Sequence, residues 1–371
     1  MNILRFLFYF TSYALLASLV ALPSCVQVPT EELSAKIQYR ISTQAAKDKI
    51  LNADVKISMV GDIMLGGTAE EIFVKNGYNY AFEETRHLLL DSAIAFGNLE
   101  GVLATWGISD PKKTYNFMSP PQKSAAALKY AGFDIFSIAN NHILDYGVAG
   151  MYQTMRALEK EDMRHVGGGT TVKEARTPRI MEVDGHKVAF LAYSLTYPTQ
   201  FWVTDEHPGV AYGNQKHVVE DIKSAKKISD LVLVSMHWGR ESTTELRDYQ
   251  KSIGRAAIDA GASVVMGHHP HILQAVEHYK DGIIMYSLGN FAFGSYSQKV
   301  DSSVVAQAYF KNKKLVKMQF WPIYVRNTDV LFQSKILEDE KADSVVQHLQ
   351  EISKDHGTIF HNDNGSAVIF L

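Results

Sequence analysis

From residue 55 onward, short apolar runs recur with amphipathic helical patterns between them, and this alternation leaves the chain few folds to choose from. The runs are "VKISMV" (55–60), "AIAFGN" (93–98), "FDIFSIA" (133–139), "KVAFLAY" (187–193), "LVLVSM" (231–236), "ASVVMG" (262–267) and "GIIMYSLG" (282–289). Runs of roughly four to eight apolar residues bounded by turn residues read as buried strands. Between most of them lie "PPQKSAAALKYAG", "VAGMYQTMRALEKED", "NQKHVVEDIKSAKKI" and "LRDYQKSIGRAAIDAG", with Gly132 and Gly261 where C-terminal caps belong. Buried strands separated by such helices predict an α/β fold with helices against the sheet faces. After residue 300 the pattern changes. "SSVVAQAYFKNKKLVKMQFWPIYV" predicts an antiparallel hairpin turning at "KNKK", followed by a helix in "DSVVQHLQEISKDHG" and an apolar end, "SAVIFL".

The N-terminus is of another kind. Residues 1–25, "MNILRFLFYFTSYALLASLVALPSC", hold one basic residue, an apolar run and then the chain's single cysteine, Cys25. This is the layout of an export signal. "Leu-Pro-Ser-Cys" resembles a lipobox, in which Cys25 would be lipidated and hold the protein at a membrane surface; a plain signal or an uncleaved anchor are the alternatives. Residues 26–52 read as a polar tether, and 53–371 as one domain. A net charge of −3 without a Lys/Arg-rich run gives no reason to expect nucleic acid.

In open α/β sheets, functional groups gather past the carboxyl ends of the strands. Six strand ends here carry polar clusters: "GDIMLGG" with Asp62, "GNLEG" with Asn98 and Glu100, "NNHILDYG" with Asn140, Asn141, His142 and Asp145, "HWGRE" with His237, Arg240 and Glu241, "GHHPH" with His269 and His271, and "GN" with Asn290. Singly, an Asp or Asn after a strand is ordinary turn chemistry, and a lone histidine is more often a packed residue than a ligand. Together they would face one crevice. Histidine, carboxylate and amide oxygen suit divalent ions such as Mn, Fe or Zn, and a single cysteine excludes a cysteine-based structural zinc site. No phosphate-loop ending and no nucleophile elbow occur.

The order of these motifs, from about Val55 to about Gly294, resembles the CapA family of poly-gamma-glutamate capsule biosynthesis proteins, an outlying branch of the calcineurin-like metallophosphoesterases. The resemblance implies a sandwich of two facing mixed sheets flanked by helices, with a two-metal centre at the strand ends. It implies metal ligation by Asp62, Asn98 or Glu100, Asn141, His237, His269 and His271, with His268 as an extra. His142 is the catalytic histidine it implies, and Asn140 and Asp145 are grouped with it. Asn290 and Arg240 are candidate substrate contacts; Lys112 and Lys113 also lie beside the motifs, although such lysines are usually solvated surface. The sequence departs from the phosphoesterase pattern twice: Met64 stands where Asp-x-His has its histidine, and Asn98 where Gly-Asp has its aspartate, so that only Glu100 can restore that charge.

The expected activity is metal-dependent hydrolysis or group transfer in capsule or exopolymer synthesis. A non-catalytic export scaffold and a peptidase for gamma-glutamyl polymer or peptidoglycan are the alternatives. Expected partners are an anionic envelope polymer or phosphoester substrate, the membrane, and a capsule synthesis or export complex.

Overall fold

A computed structural model describes residues 53–297 and 299–371. The expected export signal, Cys25 and tether lie outside these residues.

The strands that organise the molecule are, in chain order, β1 (Val55–Met64), β2 (Ile94–Leu99), β3 (Ile135–Ser137), β4 (Arg164–Val166), β5 (Arg179–Val183), β6 (His186–Ser194), β7 (Leu231–His237), β8 (Val264–His268), β9 (Val276–Tyr279), β10 (Gly282–Met285), β11 (Asn290–Phe293), β12 (Ser302–Lys311), β13 (Lys314–Tyr324), β14 (Lys335–Ile336), β15 (His361–Asp363) and β16 (Ser366–Phe370). Among the described residues they build two mixed sheets. The first runs β15-β16-β13-β12-β1-β2-β3-β4, with β14 on β13; the second runs β9-β10-β8-β7-β6-β5. The strands β1 to β4 of the first sheet and β6, β7, β8 and β10 of the second are mutually parallel within their sheets.

Period-two alternation decides how the second sheet is used. Val188, Phe190, Leu231, Leu233, Val264, Met266, Ile283 and Met285 face the core shared with the first sheet, where Phe96 of β2 stacks on Phe190 of β6 at 5.6 Å. Their neighbours Ala189, Leu191, Val232, Val234, Val265 and Ile284 form a second core on the opposite face. That outer core is closed by Val218 and Ile222 of one helix and Ile253 and Ala257 of another. Two facing mixed sheets flanked by helices is the expected architecture.

The main helices are α1 (Pro121–Ala131), α2 (Gly147–Lys160), α3 (Gln215–Ala225), α4 (Asp248–Ala260) and α5 (Asp339–Ser353). Helix α1 starts with Pro121 at its first position and ends on Gly132 at φ 100°; α4 ends on Gly261 at φ 115°. Both glycines occupy the left-handed conformation that terminates a helix without Cβ strain. The hairpin also forms, with Lys311 opposite Lys314 and positive φ at both Asn312 and Lys313, the two-residue turn that matches strand twist. Six of these strands were not legible, the short β9, β14 and β15 among them. β5 is polar and partly exposed, β4 has three residues, and β11 continues the chain past a "GN" that reads as a turn.

β1 changes partner along its length. Its first half pairs with β12 in antiparallel fashion, and its end pairs with β11 in parallel, while β2 lies on its other side. Asp62 therefore stands between Asn98 and Asn290 on adjacent strands. No described helix is long and apolar enough to cross a membrane.

Candidate metal centre

Asp62 is the centre of the first sheet's contribution. One carboxylate oxygen accepts from Asn98 Nδ2 at 2.8 Å and lies 3.3 Å from His268 Nδ1; the other accepts from the His269 backbone N–H at 3.1 Å and lies 3.2 Å from His271 Nδ1. The turn after β8 makes this possible. His269 and His271 adopt φ of 92° and 60°, values non-glycine residues seldom take, and Pro270 O accepts from Ser242 N–H at 2.9 Å to pin the loop.

From the second sheet, His237 at the end of β7 sits beside His268 of β8 in register. Its Nε2 is 2.7 Å from Asn141 Oδ1 and 3.5 Å from Glu100 Oε1, and its Nδ1 is 3.3 Å from Asn98 Nδ2. Glu100 Oε1 also lies 3.7 Å from His271 Nε2. Two groups result whose ligand atoms lie within 4.8 Å of one another: Asp62, Glu100 and His237, and Glu100, His269 and His271. Glu100 belongs to both. Its Oε1 and the Nδ1 of His269 are buried without hydrogen-bond partners. Buried polar atoms rarely go unpaired, and paired nitrogen and oxygen donors around one carboxylate are what a divalent cation requires. The residues fit such an ion.

The electrostatics agree with this geometry. Burial raises the Asp62 carboxyl, but the His268 and His271 rings beside it, 3.3 and 3.2 Å away, outweigh it and hold the group well below the usual carboxylate range. Burial, with Asp62 beside it, pushes Glu100 well above that range. Burial and neighbouring rings lower His237 strongly and bring His269 to about 3. Burial alone would lower His271 too, yet Glu100 and Asp62 raise it to about 10.

A second cluster adjoins this one. Asp145, fully buried, accepts Phe117 N–H at 2.8 Å and sits 2.7 Å from His142 Nδ1. Lys113 Nζ reaches Asp145 Oδ1 and the Asn141 carbonyl, and lies 3.2 Å from His142 Nδ1. The Phe117 ring covers His142 at 4.6 Å. Burial lowers the His142 pKa against the pull of Asp145.

The sequence-derived candidates separate by position. Asp62, Asn98, Glu100, Asn141, His237, His269 and His271 converge, and His142 and Asp145 form a linked pair. Asn290 Oδ1 lies 2.9 Å from His271 Nδ1, so its amide oxygen is directed at a candidate ligand. Asn140 is fully buried: its Nδ2 donates to Leu99 O at 2.8 Å and to Asn98 Oδ1 at 3.3 Å, and its Oδ1 accepts from the His142 and Ile143 N–H groups at 3.0 Å. Arg240 and Lys112 are exposed. Lys113, placed by its sequence context among surface lysines, instead turns inward onto His142. Nothing in "PKKTYNF" distinguishes the inward lysine from its neighbour. Met64 is buried, its sulfur accepting from Gly66 N–H at 3.2 Å.

The family model for the bacterial capsule synthesis protein PGA_cap matches residues 56–295, about two thirds of the chain. The chain belongs to this family. Consistent with that, it is 32% identical to the capsule biosynthesis protein CapA of Bacillus anthracis over 285 residues, 74% of this chain and 68% of that one. It is 30% identical to the PGA biosynthesis protein CapA of Bacillus subtilis (strain 168) over 324 residues, 85% of this chain and 84% of that one. Among solved structures, a hypothetical protein from Thermus thermophilus superposes with a TM-score of 0.48 at 15% identity, over 72% of this chain and 99% of that one. A 5'-nucleotidase precursor from the same organism gives 0.44 at 10% identity, over 80% and 58%. Every metal-ligand candidate of this PGA_cap member falls inside the matched span.

Proposed function

We propose that this capsule synthesis family member is a divalent-metal-dependent hydrolase of an envelope polymer or of its phosphoester-bearing precursor. The observation that supports it most is the placement of Glu100 between two ligand groups, one completed by Asp62 and His237, the other by His269 and His271. Asn141, with Oδ1 against His237 Nε2, would complete the first group. Mn, Fe and Zn all suit these donors. A bound ion of this kind polarises the scissile group and lowers the pKa of water toward neutrality.

The chain's own residues supply proton transfer. Asp145 holds His142 through Nδ1, which leaves Nε2 to take a proton from the attacking water and hand it to the leaving group. Lys113 neutralises Asp145 and keeps it turned toward the ring. Asn290 and Asn98 fix the ligands His271 and Asp62 from adjacent strands, the outer support that metal ligands need. The protein would act outside the cytoplasm, held at the membrane through lipidated Cys25 or an N-terminal anchor, beside a capsule synthesis or export complex.

The test is elemental analysis of protein from residue 26 onward, parent and His269→Ala/His271→Ala, after incubation with Mn, Fe or Zn. One or two ions in the parent and loss in the variant are expected, followed by turnover of phosphoester or gamma-glutamyl substrates. Absence of metal from both forms would reject the reading and favour a non-catalytic scaffold.

A further inference from the structure

A cleft of about 680 Å³ opens beside the metal centre, with Asn141 and His269 at its inner end. Four aromatic residues, Tyr197, Trp202, Tyr212 and Tyr249, form its walls. None is needed by the chemistry described above.

The wall is built rather than incidental. Trp202 and Tyr212 stack at 4.0 Å with planes 24° apart. Both are fastened to sheet backbone, Tyr212 bridged to Ser194 at the end of β6, and Trp202 to Val210. On the other side, Tyr249 OH accepts from Gly239 N–H at 2.9 Å, which ties that ring to the loop following His237. Tyr197 projects 80% exposed at the mouth. A tyrosine this exposed, set in the lining of a cleft with three more aromatic residues, buries little of its ring within the fold.

Charge narrows the occupant. Among the described residues lining the cleft, Glu241 is the only acidic one; no Lys or Arg lines it, and apart from His269 and the tyrosines the remaining polar side chains are neutral amides and a threonine hydroxyl. Outside the metal centre at its inner end, the cleft offers a polyanion one like charge, Glu241, and no counter-charge along its walls, and the electron-rich ring faces would repel it further. A pyranose ring is favoured instead. Its C–H face lies on an aromatic face, while its hydroxyls pair with amides and a carboxylate.

We infer that this cleft is a subsite for an uncharged sugar residue, which places a glycosyl unit next to the bond that the metal centre would act on. For its part in turnover this rests on the proposed function; for binding it does not.

The experiment uses the protein from residue 26 onward, with a β-linked N-acetylglucosamine oligomer and a gamma-linked glutamate oligomer as probes, read by calorimetry and tryptophan fluorescence. The sugar oligomer is expected to bind, with an affinity unchanged between low and high salt, and more tightly than the glutamate oligomer. Trp202→Ala is expected to weaken it about tenfold or more. Tyr197→Ala, whose side chain is too exposed to disturb folding, should weaken it in the same direction. The inference is overturned if the sugar oligomer does not bind, if both variants bind it as the parent does, or if the glutamate oligomer binds more tightly and is lost in the same variants. Metal content, measured in parallel, bears on the metal centre alone.

Discussion

Glu100 Oε1, fully buried, lies 3.7 Å from Nε2 of the partly buried His271, and the oxygen accepts no hydrogen bond from any described residue. A carboxylate oxygen between histidines on different strand ends, supported by none of them, is an arrangement that a cation stabilises and a water-filled surface does not require.

Glu100→Gln is expected to remove metal, because an amide cannot supply the shared negative charge. Loss of residues that merely support ligands costs about 10–100-fold in metal affinity or activity, so loss of the shared ligand should exceed about a hundredfold. In metal-free protein the same change should be neutral or mildly stabilising, since burial already favours the uncharged carboxyl. Elemental analysis and thermal melting of the metal-free form, done together, check both halves.

Asp145→Asn should leave metal content unchanged while kcat falls by about 10²–10⁴-fold. The asparagine can offer His142 Nδ1 an N–H instead of an acceptor, which reverses the tautomer and removes the free Nε2. A changed pH–rate profile together with unchanged metal stoichiometry distinguishes this from structural damage.

Acid should destabilise the metal-free protein before it reaches the carboxylate range. A histidine whose folded-state pKa is depressed takes up its proton only on unfolding; its contribution is complete above the unfolded value and is lost as pH falls below it. His142, His165, His237 and His269 are all depressed, chiefly by burial, with His269 at about 3. Asp62, also depressed, adds a loss in the same direction at lower pH. His271 acts oppositely: raised to about 10, its contribution is present at low pH and fades as pH rises toward that value. His348 and His356 are depressed as well, so six histidines stand against His271 and the raised carboxyls of Glu100 and Asp134, and Tm is expected to fall from about pH 7 to about pH 5. Melting curves across that range, with chelator present, test it; a flat profile would contradict the assignment.

Gly267→Ala should be among the most damaging substitutions in the chain. A Cβ there would stand 2.0 Å from Tyr286 O, backbone that cannot yield without parting β8 from β10. The expected loss is about 3 kcal/mol or more, the upper end for overpacking, measured by denaturant unfolding.

The chain's apolar periodicity and its glycine and proline punctuation were enough to place the parallel strands, the capped helices and the hairpin, because these depend on local patterns of burial and backbone conformation. The polar strand ends were legible for the same reason: Asp, Asn and His are costly to bury, and six such clusters at one kind of position needed a shared cause. Tertiary structure decided the rest. A residue after a strand points to one sheet face or the other according to register, and β1 and β2 shift register between Met59 and Asp62, which no local pattern encodes. Only that register aligns Asp62 with Asn98 and Asn290 and leaves Glu100 to face the histidines. Asn140, chemically indistinguishable from Asn141 in the sequence, is spent on its own turn and on Leu99 and Asn98 of β2, while Asn141 reaches His237 ninety-six residues away. Lys113 and the aromatic wall from Tyr197 to Tyr249 acquire meaning only from what the fold sets opposite them, since contacts between distant segments are fixed by packing of whole sheets and helices and not by the residues' own neighbours.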